Sequence, residues 1–441
     1  MRQVITRRAF LRAVAAGSGL LGAAQLLAAC GAPEPAALPP PMPQAPTATV
    51  GPERTIEVWY WDGQIAELVS AFERANPGIA VNLRPNGDVQ EGLLRALKSG
   101  LGLPDVCAFN ESVAAELAQQ GGMLDLAAPP FDGAALQSDF VPSAWAGGRS
   151  AQGGLVGLPM SVYPGSFWYR ADILADAGME SAPEKVREQA ESWESLLTLA
   201  QELKQRRPGS SLLADAAGDV FFTSWLQQGA AWLDGGKVMI EERFLPAAER
   251  AAFVRRQGLD ADLAPGGSAF DEAMREGAIA GLFAPAWFQG YISEIHFNQV
   301  GKWRVIRAPG GDFNQGSAYL GIPAAYAKQE AAWAFVRYCC ASVEGQNTFL
   351  KTSGDLPAYT PAWRDPLYDA PAAFFGDQQT YRLWADIAAS APPLRATPHD
   401  RVLFEVMGKH VRDLLAAGGD PARALADAEA ELVRTIPELT T

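Results

Sequence analysis

The chain is poor in the residues on which most enzyme motifs depend, with three histidines and four cysteines among its 441 residues. The histidines, His296, His399 and His410, do not have the spacing of a metal site. No G-x-S-x-G, H-E-x-x-H or Walker loop occurs, and no cysteine has an obvious histidine partner. These absences argue against motif-defined hydrolases, metallopeptidases and nucleotide-hydrolysing enzymes. We therefore predict no catalytic residues, no metal site and no cofactor.

The N-terminus carries two export signals in succession. Residues 6–12 read TRRAFLR, a twin-arginine motif, and a short apolar run over residues 13–28 follows. That run is interrupted by glycine and is too short for a permanent membrane span. It ends in Leu27-Ala28-Ala29-Cys30, which resembles the lipobox of bacterial lipoproteins. We predict that residues 1–29 are removed, that Cys30 takes the lipid, and that the protein is anchored outside the cytoplasmic membrane, in the periplasm or at the cell surface.

Residues 30–53 contain many prolines and almost no charge. Such a segment favours an extended polyproline conformation, with a reach of up to ~60 Å at about 3.1 Å per residue. We predict a lipidated tether that holds a globular body clear of the headgroups.

Three cysteines remain once Cys30 is modified, namely Cys107, Cys339 and Cys340. An odd number without a C-x-x-C pair predicts neither a disulfide framework nor a zinc site. Cysteine packs as a small hydrophobe, and we expect all three to be buried free thiols.

Basic residues are outnumbered, with 36 Lys and Arg against 50 Asp and Glu, for a formal net charge of −14. The predicted signal segment contains four arginines and no acid, so the mature chain is more acidic still, near −18. An acidic surface argues against nucleic acid and against anionic lipid as partners.

The first half of the body alternates strand-like and helix-like patterns. Such an order predicts a mainly parallel sheet that is covered on both faces. Ligands in sheets of this kind bind at the carboxyl ends of the strands, which here are Trp61-Asp62 and Asn110-Glu111. The predicted strands are residues 55–61, 79–83 and 106–109, and the predicted helices are residues 64–75, 90–99 and 113–120.

Residues 153–170, GGLVGLPMSVYPGSFWYR, organise the rest of the chain. Two apolar strand-like runs meet at Tyr163 and the Pro164-Gly165 turn, which suggests a strand that crosses between two α/β units. The alternative is an internal strand of one large domain. About 390 residues follow the tether, more than one core usually serves, so we expect two domains.

The order of several segments then matches a known family. The segments are IEVWYWDG, LPDVCAFN, GLVGLPMSVYPGSFWYRADIL, EGAIAGLFAPAW, GSAYLGIP and TSGDLPA. Each is weak alone, but together they resemble the extracellular solute-binding proteins (family 1) of ATP-dependent importers, in the sugar-binding group that includes maltose-binding protein. The similarity covers residues 54–436.

The resemblance implies a two-lobed, type II-like periplasmic-binding-protein fold, each lobe being a mainly parallel sheet flanked by helices. It places the first lobe at residues 54–158 and 304–352 and the second at 159–303 and 353–441. It also implies a monomer that binds a mono- or oligosaccharide in the cleft between the lobes and delivers it to permease subunits in the membrane.

The family's ligand positions carry over one residue at a time. At residues 285–287 the family's Gly-Pro-Trp motif reads Pro-Ala-Trp, which affects the local turn. Aromatic rings stack on the apolar faces of sugars, while carboxylates and amides bind their hydroxyls. The implied ligand-binding residues are Trp61, Asp62, Asn110, Glu111, Tyr163, Trp287, Gly316, Ser317 and Asp377.

Alternatives remain open at this stage. Any single tryptophan can be a core residue, and Asp62, Glu111 and Asp377 can be surface or capping carboxylates. An exported glycoside hydrolase also uses paired carboxylates and aromatics, and a lipid-anchored scaffold would need no cleft. The implied cleft residues include no Arg or Lys, which argues against a phosphorylated ligand.

Overall fold

The computed structural model of the protein describes residues 54–150, 153–229, 231–325, 328–393 and 397–440. The predicted signal segment, the lipidation site Cys30 and the predicted tether lie outside the described residues.

Nine strands and sixteen α-helices form within these described ranges, together with short 3-10 turns and one π-helical segment. The strands are β1 (Arg54–Tyr60), β2 (Ile79–Pro85), β3 (Val106–Asn110), β4 (Leu158–Arg170), β5 (Leu233–Asp234), β6 (Lys237–Val238), β7 (Gly281–Pro285), β8 (Trp303–Ile306) and β9 (Phe313–Gly321). The helices are α1 (Ala66–Ala75), α2 (Val89–Ser99), α3 (Glu111–Gln120), α4 (Pro142–Gly147), α5 (Ala171–Asp176), α6 (Pro183–Gln189), α7 (Trp193–Arg206), α8 (Thr223–Gln228), α9 (Ile240–Gln257), α10 (Ser268–Glu276), α11 (Phe288–Ile295), α12 (Gln329–Ala341), α13 (Val343–Ser353), α14 (Thr380–Ser390), α15 (Asp400–Ala417) and α16 (Pro421–Thr435).

Local sequence signals account for many of these boundaries. The Ser192 side chain accepts a hydrogen bond from the backbone N–H of Ser195 at the start of α7, forming a capping box. At α16, Asp420 caps the helix and Pro421 occupies its first turn. Each of these helices therefore begins where a side chain satisfies backbone N–H groups that the helix leaves free.

The main sheet has the strand order β2-β1-β3-β9-β4-β7, and β8 pairs with β4 beside this path. The parallel arrangement is confirmed for β1, β2 and β3, which follow one another through helices. Every pairing of β4 and β9 is antiparallel. The reason is that β9 returns along β4 after a long excursion of the chain, which no local strand-helix alternation specifies.

Strand β4 is central and pairs along both edges. Gly165 faces Pro285 of β7 on one edge and Phe313 of β9 on the other. Phe167 faces β7 and also Ile306 of β8. Strands β8 and β9 therefore share one edge of β4, one after the other, and the two long strands β4 and β9 cross the whole molecule together.

Three apolar clusters define the core. One cluster covers a whole face of the sheet and includes Val58 of β1, Trp168 of β4 and Leu282 of β7. The opposite face carries two separate clusters, one around Phe109 of β3 and the other around Phe167 of β4. The core is therefore shared on one face and divided on the other, which gives the molecule two lobes.

The predicted free cysteines Cys107, Cys339 and Cys340 are confirmed as free and buried. Burial raises the pKa of each thiol, so the reactive thiolate is disfavoured. In the part of the chain that the structure describes, no helix combines the length and the apolar character that crossing a membrane requires.

Candidate functional site

The ends of β1 and β3 and the middle of β4 meet where the core divides. Asn110 at the end of β3 faces Ala318 of β9, and the preceding residue of β9, Ser317, faces Val162 of β4. Tyr163 follows directly, with its backbone N–H donating to Asn314 Oδ1 over 3.1 Å. The crossing strands thus bring together Asn110, Ser317 and Tyr163, which are far apart in sequence.

Tyr163 also lies beside the end of β1. Burial raises the pKa of the Tyr60 hydroxyl, and the nearby acidic groups of Asp355, Tyr163 and Asp62 raise it further. These four side chains therefore share one neighbourhood. Asp355 was missed as a site residue, although its segment TSGDLPA carries part of the family resemblance.

Trp61 lies at the border between the clusters. It is half-buried, packs against both the shared cluster and the cluster around Phe109, and meets Tyr60 edge to face at 5.0 Å. Its indole Nε1 is buried and has no hydrogen-bond partner. A ring in this position combines an apolar face with a free hydrogen-bond donor, as a ligand-facing tryptophan should.

Asp62 has a local structural role as well. Its Oδ1 accepts a hydrogen bond from the backbone N–H of Gln64 over 2.9 Å, which forms the turn into α1. The prediction that Asp62 binds ligand therefore stands beside a role in this turn.

Glu111 begins α3 and is 7% exposed. A Cβ atom on Gly147 would lie 2.6 Å from its Cδ, so this glycine makes room for the carboxyl group. Its Oε2 and the Ser317 hydroxyl are both buried without a hydrogen-bond partner. Two unsatisfied oxygens in one buried wall are the groups that a polar ligand would complete.

The environment of Glu111 favours its neutral form. Burial and the nearby charge of Asp400 raise its pKa to about 8. The Ser317 hydroxyl lies close enough to oppose this shift, although its geometry falls short of a hydrogen bond. A protonated Glu111 could donate one hydrogen bond and accept another, as an amide does.

This shift has a consequence for stability. Because the pKa of Glu111 is raised from 4.5 to about 8 on folding, its protonated form stabilises the folded state fully below pH 4.5, and that contribution is lost as pH rises through 8. Between these values we expect the free energy of unfolding to fall with pH more steeply in the wild type than in Glu111→Gln. Thermal unfolding at several pH values measures both slopes. Glu116→Gln, on the same helix but more exposed, should keep the wild-type slope, and equal slopes for Glu111→Gln and the wild type would contradict the account.

Gly316 lies next to the carboxyl group of Glu111 and has φ +105°, a conformation that favours glycine. A Cβ atom there would lie 3.7 Å from Glu111 Oε2. Gly316 and Ser317 therefore lie beside Glu111.

Asn110 precedes α3 and is half-buried. Its backbone N–H donates to Gln90 Oε1 over 2.9 Å, and its side chain makes no capping bond to the helix. The amide is therefore not used to cap α3.

Trp287 stands at the start of α11, half-buried, with its ring edge to face on Phe288 at 5.9 Å. Two residues on, Gln289 Nε2 donates to the carbonyl oxygen of Gly354 over 2.7 Å. This bond ties the Trp287 turn to the loop that carries Asp355. The Pro-Ala-Trp sequence is accommodated because Pro285 ends β7 and Trp287 already has helical dihedral angles.

Asp377 is not brought together with the other predicted residues. It is exposed, has φ +63°, and lines a separate groove of about 970 Å³ beside α6 and β8. The next residue, Gln378, bonds with both the N–H and the carbonyl oxygen of Val305, each at 2.9 Å, and so covers the free edge of β8. Val305 pairs with Trp168 of β4. Trp168 is five residues beyond Tyr163, a separation of about 16 Å along the strand at 3.3 Å per residue.

The start of α15 faces Glu111 from the other lobe, an arrangement that sequence patterns did not predict. There, Asp400 accepts a hydrogen bond from Trp232 Nε1 over 2.9 Å. Arg401 follows and provides a cation that the predicted residue set lacks. One turn on, Phe404 is 39% exposed and lies 5.3 Å from the ring of Trp225. A helical pattern in the sequence does not reveal which surface the helix faces.

One other group could place three carboxylates around a cation. Asp215, Asp260 and Asp262 gather their oxygens within 4.8 Å of one another. The Arg255 guanidinium contacts all three at 3.5, 2.7 and 2.6 Å. Arg255 therefore offsets part of the charge of the cluster, and Asp215 and Asp260 also accept hydrogen bonds from backbone N–H groups, which is a structural role.

The divided core, with polar groups and aromatic rings along the division, defines a two-lobed solute-binding protein. Comparison with known families agrees: the sequence model for bacterial extracellular solute-binding proteins matches residues 60–342, more than half of the chain. The protein belongs to the bacterial extracellular solute-binding protein family.

Solved structures have the same fold at low sequence identity. An extracellular solute-binding protein of family 1 superposes with a TM-score of 0.78 at 20% identity, over 86% of this chain and 99% of that one. The sugar-binding protein MalE from Xanthomonas citri gives 0.73 at 20% identity, over 87% and 98%. The binding protein from B. animalis subsp. lactis Bl-04, in complex with beta-1,6-galactobiose, gives 0.69 at 21% identity, over 87% and 97%.

A curated relative also matches, over part of its length. YcjN of Escherichia coli (strain K12), named as an ABC transporter periplasmic-binding protein, is 30% identical over 146 residues. The match covers 32% of this chain and 31% of the relative.

Proposed function

We propose that the protein, as a monomer and without catalysis, captures a carbohydrate between its two lobes and delivers it to the permease of an ATP-dependent importer. The observation that carries this proposal is the group of unsatisfied polar atoms where the core divides: Trp61 Nε1, Glu111 Oε2 and the Ser317 hydroxyl. Half-buried aromatic rings adjoin them. Neutral hydroxyl-rich solutes satisfy such donors and acceptors, while their C–H faces cover the rings. Structural relatives described with beta-1,6-galactobiose, lacto-N-biose and maltose support the same class of ligand.

We place the ligand against Trp61, Asp62, Asn110, Glu111 and Tyr163 on the first-lobe side and the crossing strands. Gly316 and Ser317 complete that side, while Trp287 and the start of α15 with Phe404 face it from the second lobe. We leave Asp377 out of the site, because its groove is separate.

We infer that the lobes divide along β4 and β9. The pairing of β4 with β9 shifts register between Pro159 and Ser161 and again between Val162 and Pro164. The two lobes begin on either side of this stretch. Such irregularities allow a strand to bend, and closure about a hinge is common in two-lobed binding proteins. Strand β8 pairs with the second half of β4, so we assign it to the second lobe. We therefore move the point at which the chain returns to the first lobe from residue 304 into β9. The other bounds are kept, with residues 54–158 in the first lobe and residues 159–303 and 353–441 in the second.

A thermal-shift screen followed by calorimetry tests the proposal. Maltose, beta-1,6-galactobiose and lacto-N-biose are the first probes, and a ligand at 100 times its Kd should add about 2.7 kcal/mol to stability. Chromatography of the same mixtures tests the alternative of a hydrolase. Shortened sugars, or no stabilisation by any member of a broad saccharide panel, would contradict the proposal.

We further propose that the protein is exported by the twin-arginine route and anchored through lipid on Cys30. The twin-arginine motif and the lipobox support this proposal, and both lie in residues 1–30. The proline-rich residues up to 53 would let the body reach a permease while the lipid stays in the membrane.

The variant Cys30→Ser should be exported but not held by the membrane, because it lacks the thiol that takes the lipid. Cell fractionation after a salt wash, with the wild type as control, measures the membrane-bound share. If the variant stays in the washed membrane fraction, the anchoring proposal fails.

A further inference from the structure

Arg401 makes ion pairs across the division of the core. Its guanidinium lies 3.5 Å from a carboxylate oxygen of Glu116 on α3 and 4.0 Å from one of Glu91 on α2. Both helices pack in the cluster around Phe109. Helix α15, which carries Arg401, packs through Leu403 and Val406 in the cluster around Phe167. The ion pairs therefore join the two lobes.

The position of Arg401 is unfavourable within its own helix. It lies in the first turn of α15, where the positive end of the helix dipole destabilises a cation. On the facing wall, by contrast, Glu91 and Glu116 present two carboxylates, with the buried Glu111 between the lobes. The partners that stabilise the arginine are thus on the other lobe.

Arg401 also lies at the edge of the aromatic surface. It is three residues before Phe404, so the two side chains share one face of α15. Phe404 is partly exposed beside Phe222 and Trp225, at ring distances of 6.2 and 5.3 Å. An ion pair at this place affects how closely the two lobes approach each other. It does not alter the packed core of either lobe.

We propose that Arg401 is an electrostatic clasp: by pairing with Glu91 and Glu116 it favours the closed arrangement of the lobes before any solute is bound. The pairs are partly exposed, so the clasp is weak and sensitive to salt. Its breaking would open the cleft without unfolding either lobe.

Single-molecule energy transfer on the full chain without added solute tests the clasp. Dyes are placed on Ser99→Cys of α2 and Ala416→Cys of α15, two exposed positions, in a Cys30→Ser background in which the remaining native thiols are buried. In this labelled parent, which keeps Arg401, raising NaCl from about 0.05 to 1 M should lower the closed fraction. Arg401→Glu should lower the ratio of closed to open molecules about fivefold, equivalent to about 1 kcal/mol, and should reverse the salt effect. Adding Glu116→Arg to Arg401→Glu should restore closure.

The matched control is Arg423→Glu, because Arg423 pairs with Asp427 on its own helix. It should leave the distribution unchanged. If Arg401→Glu unfolds, Arg401→Met takes its place and should lose the salt effect. The proposal is overturned if the folded Arg401 variant has the closed fraction and salt response of the labelled parent, or if the charge swap stays as open as Arg401→Glu.

Discussion

Replacement of Trp168 by alanine should lower the free energy of unfolding by about 4 kcal/mol. The side chain is fully buried, and its ring packs against those of Phe288, Phe375 and Trp384 at 5.7, 5.1 and 5.8 Å. Its Nε1 donates to the Ser166 hydroxyl over 2.8 Å. The substitution therefore leaves a large cavity, removes ring contacts and takes away the hydrogen bonds of the indole N–H to the Ser166 hydroxyl and the Ala284 carbonyl oxygen.

Urea unfolding followed by fluorescence and circular dichroism measures this loss through the transition midpoint. The control is Trp333→Ala on α12, where the ring is half-buried and meets Phe131 at 5.5 Å. Its loss should cost clearly less, on the order of 2 kcal/mol. Both rings pack in the shared cluster, so equal costs for the two substitutions would mean that the depth of burial within this cluster does not determine what a ring contributes to stability.

Replacement of Tyr163 by alanine should weaken solute binding by roughly thirtyfold, on the order of 2 kcal/mol, and leave the melting temperature nearly unchanged. The reason is its position: Tyr163 is half-buried, adjoins Tyr60 and Asp62, and lies on the strand that crosses between the lobes. A side chain that serves the ligand more than the core should lose affinity before stability.

Calorimetry with the saccharide found by the screen, together with thermal unfolding, separates the two effects. Tyr359→Ala is the control, because Tyr359 is also half-buried but packs on Phe140 in the shared cluster. It should lower the melting temperature and keep the affinity. If Tyr163→Ala instead lowers the melting temperature and keeps the affinity, Tyr163 is a core residue and not a ligand contact.

Local sequence patterns predicted the parts of the fold that depend on local interactions. The alternation of β1 to β3 with their helices and the long strand β4 are each set by neighbouring residues. The antiparallel return of β9 could not be predicted in this way, because it depends on pairing with residues more than a hundred positions earlier.

The same distinction holds for the site. Glu111 and Trp61 follow strand ends, where the position itself suggests a ligand. Asp355, Arg401 and Phe404 lie beyond position 350 and reach the site only through the packing of two lobes. Asp377 differs from these residues: a family motif suggests a ligand contact there, while its neighbour Gln378 covers the edge of β8.

A crystal structure of the protein saturated with its solute tests the central claim most directly. We predict solute density where the core divides, in contact with Trp61, Tyr163 and the Glu111–Ser317 wall, and within reach of Phe404 from the other lobe. Solute density in the separate groove beside Asp377, with the division of the core left empty, would contradict the account.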